Sequence, residues 1–229
     1  MTLPEGLVSC EDGLVRPTWA ATDLLLRDYY DTEWGNAVTS EQGVFERLVL
    51  ESFQSGLSWS TILKKREAFR CAFASFVPEA VAAFTGKDRE RLMQDAGIVR
   101  NKRKIDAAIT NARAVIALRS ALAAEADAHR AGRMGEAPLT HLLRPRQSYP
   151  RHLGELAWLY QPSQHPLPKN AGEVPAQTEE SRALSLELKR RGFVFVGPVT
   201  ALALMSAIGI TNTDIIGTWK RPLAESLAE

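Results

Sequence analysis

Seven of the twelve prolines lie between Pro138 and Pro175, and this clustering limits what the chain can fold into. Proline lacks a backbone donor and its ring collides with the preceding helical turn, so residues 129–177 read as loop-rich. One short helical island is expected there, around Leu153–Tyr160. On either side of this stretch the apolar residues recur at helical spacing. Thr39 followed by Gln42 resembles a capping box, with Ser40 a competing cap, and Val44, Phe45, Leu48 and Val49 then mark one helix face. Gly56 breaks that helix and Ser58 can cap the next, through Ile62 and Leu63 toward Phe69. Pro78 and Glu79 start a short helix. Another covers Asp88–Gln94, stops near Gly97 and restarts at about Asn101 as a long alanine-rich helix toward Glu125. Ser181–Arg191 and about Pro198–Ile208 form a closing pair joined by Gly192-Phe193-Val194-Phe195-Val196-Gly197. No repeat and no strand-period alternation of useful length is found. The predicted fold class is all-α.

The chain's 229 residues suit one compact domain, or two small lobes sharing a cleft. No apolar run reaches the roughly 18 residues of a membrane span, and no secretory signal is recognised, so no membrane partner is expected. Cys10 and Cys71 have no framework spacing and fit a reducing cytoplasm. Residues 1–51 hold ten acidic and three basic side chains, which leaves 17 acidic and 25 basic for the rest. That asymmetry permits a polyanion-facing surface, though charge runs also form ordinary solvated helix faces.

Three segments carry chemistry. In Asp95-Ala96-Gly97-Ile98-Val99-Arg100-Asn101-Lys102-Arg103-Lys104 a helix ends, a glycine allows a tight hairpin, and a second helix starts amid basic residues. The free backbone N–H groups and positive dipole end of such a start can bind phosphate. Ile98 and Val99 would anchor the turn, while Lys102 and Lys104 can reach a nucleic-acid backbone without reading its sequence. The other reading is an interhelix turn with exposed charges. Glu51 falls seven residues after Val44, on the apolar stripe of its helix, where a carboxylate is paired, protonated or lining a cleft. Trp59 follows one turn into the next helix, and Gly56 lets the backbone approach a partner closely. Trp19, Tyr29, Tyr30 and Trp34 lie within sixteen residues. Such faces beside a carboxylate suit a flipped, cationic base, although core packing explains some of them equally well.

These segments follow one family's pattern in order and spacing: Glu33-Trp34-Gly35, Glu51 through Gly56-Leu57-Ser58-Trp59, Leu63 to Glu67, Gln94 to Ile98, Lys104-Ile105, Asn111-Ala112-Arg113 and Arg191 to Gly197. The chain resembles the 3-methyladenine DNA glycosylase I (Tag) family of helix-hairpin-helix glycosylases over about residues 17–221, least across 129–177. The resemblance implies a two-lobed helical fold with the base pocket between lobes. Residues 1–16 would be an N-terminal extension, 17–221 the glycosylase domain with its hairpin near 88–116 and a variable insertion at 129–177, and 222–229 a tail. It implies a monofunctional hydrolase that cleaves the N-glycosidic bond of 3-methyladenine in duplex DNA, leaves an abasic site and releases free 3-methyladenine. The enzyme would act as a monomer, without cofactor. A lyase would need a positioned amine, and no lysine stands at a recognisable place for one. By motif position Glu51 bonds the base edge, Tyr29 contacts the base, Trp59 stacks on it, and Trp19 and Trp34 complete the wall. Leu57 would fill the gap left in the duplex, and Gly97, Val99, Lys102 and Lys104 would meet the DNA backbone. Two rival readings are a non-excising paralogue that binds damaged DNA or a modified purine, and a glycosylase for a different alkylpurine.

The chain departs from the family in two places. The resemblance implies a zinc ion tying the termini through two cysteines and two histidines. Here Pro17, Tyr30, Asp214 and Thr218 occupy those positions, a poor zinc set, and a metal-free protein is predicted. A Tyr30–Asp214 hydrogen bond, with Pro17 and Trp219 around it, is predicted to take over the metal's role. Leu26 stands where the family has an aromatic pocket residue.

Overall fold

A computed structural model describes residues 3–221, so the expected tail at 222–229 lies outside the described residues. The chain runs β1 (Leu7–Ser9), β2 (Val15–Pro17), α1 (Leu24–Thr32), α2 (Glu41–Gln54), α3 (Trp59–Lys64), α4 (Arg66–Ala72), α5 (Pro78–Ala82) and α6 (Gly86–Gln94). It continues through α7 (Lys102–Arg130), α8 (Leu153–Trp158), α9 (Glu179–Arg190) and α10 (Pro198–Ala207). None of the helices among the described residues is long and apolar enough to cross a membrane.

The centre of the core is α2. Its apolar stripe of Val44, Phe45, Leu48 and Phe53 is fully buried, and α10, α8 and α7 pack around it. Each such side chain contributes roughly 1.5–3 kcal/mol of transfer free energy. Ser40 starts the helix by accepting the Gly43 N–H at 3.3 Å. The expected Thr39–Gln42 box does not form, because the Gln42 amide donates to the Ser75 carbonyl at 2.7 Å instead. Ser58 caps α3 through the Thr61 N–H, and Asn101 caps α7 through the Lys104 N–H.

Proline richness does not leave residues 129–177 loose. The Trp158 indole donates to the Val38 carbonyl at 2.9 Å, and the Tyr149 hydroxyl donates to Glu125 on α7 at 2.7 Å. Gly154 lets α8 press on the start of α2, since a Cβ there would lie 2.0 Å from the Thr39 carbonyl oxygen.

Among the described residues, a single two-stranded hairpin stands at the N-terminus of this helical fold. There β1 and β2 pair antiparallel, with Val8 opposite Arg16. Strands of three residues are too short for an alternating pattern to register. The hairpin also crosses the expected start of the domain at residue 17. Buried Arg16 forks between Asp12 and Asp31. The Trp219 backbone N–H donates to the Val15 carbonyl at 2.9 Å and its indole to Asp31 at 3.0 Å. The two end segments therefore lie together.

Candidate functional site

Beside the main core stands a small apolar cluster of Leu26, Tyr29 and Leu63, with Trp34 and Trp59 packed on it. It forms because α1 crosses α3, which brings the N-terminal aromatics against the helix that follows Gly56. Gly56 adopts φ +79° with nothing within 4 Å of a built Cβ. Its role is thus the left-handed turn between α2 and α3, not close approach to a partner.

The cluster forms one wall of a cavity of about 780 Å³, which Trp19, Leu26, Trp34, Glu51 and Trp59 all line. Trp19 and Trp34 meet edge to face at 5.6 Å. Tyr29 is not among the lining residues. It backs the wall, with its ring 5.3 Å from Trp59 and 6.2 Å from Trp34.

Three polar groups here lack partners. Among the described residues no group donates a hydrogen bond to the Glu51 carboxyl, which is 4% exposed. Burial pushes its pKa up to about 8, opposed only by the Arg47 charge one turn earlier. The Tyr29 hydroxyl and the Trp59 indole N–H are buried without any hydrogen-bond partner. Burial, and then the nearby Glu51 charge, raises the Tyr29 phenol above its ordinary range. Buried polar groups left unsatisfied in a native fold call for an explanation, and these lie beside a cavity.

Leu57 is 40% exposed just past the end of α2, next to the cavity-lining Gln54 and Ser58. In the hairpin between α6 and α7, Ile98 is buried and Val99 packs on the core. Gly97 is there for space, since a Cβ would stand 2.9 Å from that of Ala68 on α4. The Lys65 ammonium takes the Ala96 and Gly97 carbonyls at 2.9 and 3.2 Å. Arg100, Lys102 and Arg103 face solvent, and Lys102 pairs with Asp106 at 2.7 Å.

Lys104 overturns its expectation. It is 7% exposed and donates to the Phe53 and Ser55 carbonyls at 2.8 and 2.6 Å. The last carbonyls of α2 have no intrahelical donor, and the ammonium satisfies them at the negative end of the helix dipole. It is not free to reach a nucleic acid.

At the four positions where the resemblance implies zinc ligands, the residues do not fit the ion. Pro17 offers no side-chain donor, and the Tyr30 hydroxyl donates to Asp214 Oδ2 at 3.2 Å. The phenol is held protonated by burial and by that carboxylate. Thr218 is fully buried, with its hydroxyl beside the Tyr30 phenol. The expected clasp is larger than a single bond. Trp19 and Trp219 meet the Tyr30 ring edge to face at 5.6 and 6.4 Å. The Lys220 ammonium lies 5.0 Å from that ring's centre and donates to the Trp34 carbonyl at 2.6 Å.

Sequence reasoning missed the α10 side of the cavity, formed by Val199, Leu202, Ala203 and Ser206. It also missed the loop at Val174–Ala176. Since α10 is apolar nearly all round, no periodicity could mark the face that lines a cavity.

A methyladenine glycosylase family model matches residues 19–142 and 141–221. DNA-3-methyladenine glycosylase 1 of Escherichia coli K12 is 39% identical over 199 residues, 87% of this chain and 92% of that protein. The DNA-3-methyladenine glycosylase of Haemophilus influenzae is 34% identical over 203 residues, 87% and 94% of the two chains. A crystal structure of 3-methyladenine DNA glycosylase I superimposes with TM-score 0.70 at 34% identity, covering 90% of this chain and 98% of the other. The Staphylococcus aureus enzyme, from a study of 3-methyladenine recognition, gives 0.70 at 28% identity, covering 89% and 95%. With the helical fold, the aromatic cavity and these matches in agreement, the chain belongs to the methyladenine glycosylase family.

Proposed function

We propose that this protein is a DNA-3-methyladenine glycosylase that hydrolyses the N-glycosidic bond of the alkylated base in duplex DNA. The observation that carries the reading is Glu51: a buried carboxyl that accepts no hydrogen bond among the described residues, lining an aromatic cavity. Burying an unpaired carboxylate is costly. A cationic base offsets that cost, and neutral adenine does not, so the pocket selects for charge as well as shape. Tryptophan faces add stacking and cation–π attraction.

N3-methylation places positive charge on the base and weakens its bond to the sugar. As that bond breaks, its electron pair goes to the base, which leaves neutral. Water adds at C1′ and loses a proton, giving the abasic site. The ionised Glu51 carboxyl attracts the cationic base and stabilises the positive charge that develops on the sugar. Tyr29 holds Trp34 and Trp59 in place. Leu57 enters the space the flipped base vacates, while the exposed hairpin residues Arg100, Lys102 and Arg103 meet phosphates.

The test is release of 3-methyladenine from methylated duplex DNA under single turnover, resolved by chromatography. The wild-type chain releases the base. Glu51→Gln keeps its fold and slows release about a hundredfold or more, the scale of removing one electrostatic interaction with the transition state. Absence of release by the wild-type chain overturns the reading, and release at full rate in the variant removes Glu51 from the chemistry.

A further inference from the structure

The cavity is larger than its proposed occupant. Its volume of about 780 Å³ lies within the ~300–1,000 Å³ typical of pockets for whole drug-sized ligands and is several times that of one methylated purine. The tryptophan wall and Glu51 account for a purine ring. A second set of lining residues is left over: Gly6, Ala171, Val174, Leu202, Ala203 and Ile215.

These residues form a built surface. A Cβ added to Gly6 would lie 2.6 Å from Ala171 Cβ and 3.0 Å from Ile215 Cδ1. The Ala171 N–H donates to the Glu5 carbonyl at 2.9 Å. The β-hairpin segment, the 171–176 loop and the C-terminal segment thus close together around this part of the cavity.

The chemistry of the second set decides what it can hold. No lysine or arginine lines the cavity, which argues against a seat for the sugar–phosphate of a flipped nucleotide. Ser206 and Thr213 hydrogen-bond one another at 3.2 Å, and the surface that remains is mostly aliphatic. It suits an apolar group attached to a base.

We propose that this compartment receives the alkyl substituent of the lesion, and that the substrate class extends to adenines whose N3 group is larger than methyl, such as ethyl and benzyl. The inference rests on the glycosylase reading. The reaction is unchanged: the glycosidic electron pair leaves with the base, water supplies the oxygen at C1′, and the alkyl group takes no part.

The experiment uses the full chain and duplex DNA treated separately with methylating, ethylating and benzylating agents, with released bases resolved by chromatography. Release of 3-ethyladenine and 3-benzyladenine within about tenfold of 3-methyladenine is expected, whereas a pocket fitted to methyl alone loses about 10–200-fold for one added methylene. A loss of about a hundredfold or more at the ethyl homologue overturns the proposal. Val174→Trp, on a loop and 38% exposed in the wild type, fills the compartment without touching the core. It should lower the ratio of benzyl to methyl release, and an unmoved ratio counts against the proposal.

Failure of the glycosylase reading has a different signature: 3-methyladenine itself is not released. The compartment is then read by titrating free 3-methyladenine and 3-benzyladenine against the fluorescence of the cavity tryptophans. Tighter binding of the benzyl base supports the compartment. Equal or weaker binding overturns it.

Discussion

Because burial lifts its pKa to about 8, Glu51 is largely protonated at neutral pH when the pocket is empty. A cationic base favours the ionised form, so engaging a lesion releases a proton. Single-turnover excision should rise with pH between about 6 and 8, where the carboxylate population grows nearly tenfold per unit at first and less as the pKa is approached, and Glu51→Gln should flatten the profile. Stability should move oppositely. A carboxyl whose folded pKa is raised contributes stability that is full below its unfolded value and is lost as pH rises through the folded one. Melting temperature of the wild type should therefore fall relative to Glu51→Gln as pH climbs from about 5 to 9; a constant gap would show that Glu51 does not titrate there. Trp59→Ala should weaken binding of free 3-methyladenine by roughly the 1–3 kcal/mol of base–aromatic stacking, measured by calorimetry, whereas undiminished affinity would place Trp59 in the core alone. Glu51 was legible in the sequence, since a carboxylate on an apolar stripe conflicts with its surroundings and so marks itself. Lys104 was not. Within a basic run it looks solvated, and the carbonyls that bury it lie 51 and 49 residues away in sequence.

Among the elements, the α6–α7 hairpin was readable from its glycine, its apolar anchors and the basic residues that follow. The structure changes which charges are free. Replacing Arg100, Lys102 and Arg103 together by alanine should weaken duplex binding about equally across sequences and reduce the salt slope by roughly 0.9 for each phosphate no longer neutralised. A sequence-dependent loss in a titration at several salt concentrations would contradict a backbone-only role. Lys104→Met is a different experiment. It strips the Phe53 and Ser55 carbonyls at the end of α2 of their donor and should cost about 1–3 kcal/mol, read from the denaturation midpoint, whereas the triple variant should leave that midpoint nearly unmoved. The β1–β2 hairpin and the cavity face of α10 were illegible for opposite reasons. The strands are too short to show a period, and α10 is too uniformly apolar to show a face.

At the scale of the whole molecule, the join between the N-terminal segment and residues 214–220 is built mostly from side chains: Tyr30 on Asp214, Lys220 over the Tyr30 ring and the Trp219 indole on Asp31, with one backbone bond from Trp219 to Val15. The Tyr30–Asp214 pairing could be anticipated because two substituted positions had to face each other and were chemically complementary. The Arg16 and Lys220 contributions depend on the tertiary path of segments with no pattern of their own. Tyr30→Phe should cost about 1.5–3 kcal/mol and lower the melting temperature, while chelators should leave wild-type melting unchanged; a chelator-induced drop would overturn the side-chain account of the join. The Lys104 ammonium has a consequence for how such a molecule surveys DNA. It ties the first turn of α7 to the last carbonyls of α2, two residues before Leu57 and a turn beyond Glu51. If the hairpin rests on the backbone and Leu57 enters the stack, as proposed, the two would travel as one piece, like the foot and probe of a depth gauge. Every step along the duplex would then be sounded to the same depth, and the difference between sound and damaged sites would lie in what the DNA yields rather than in how far the protein reaches.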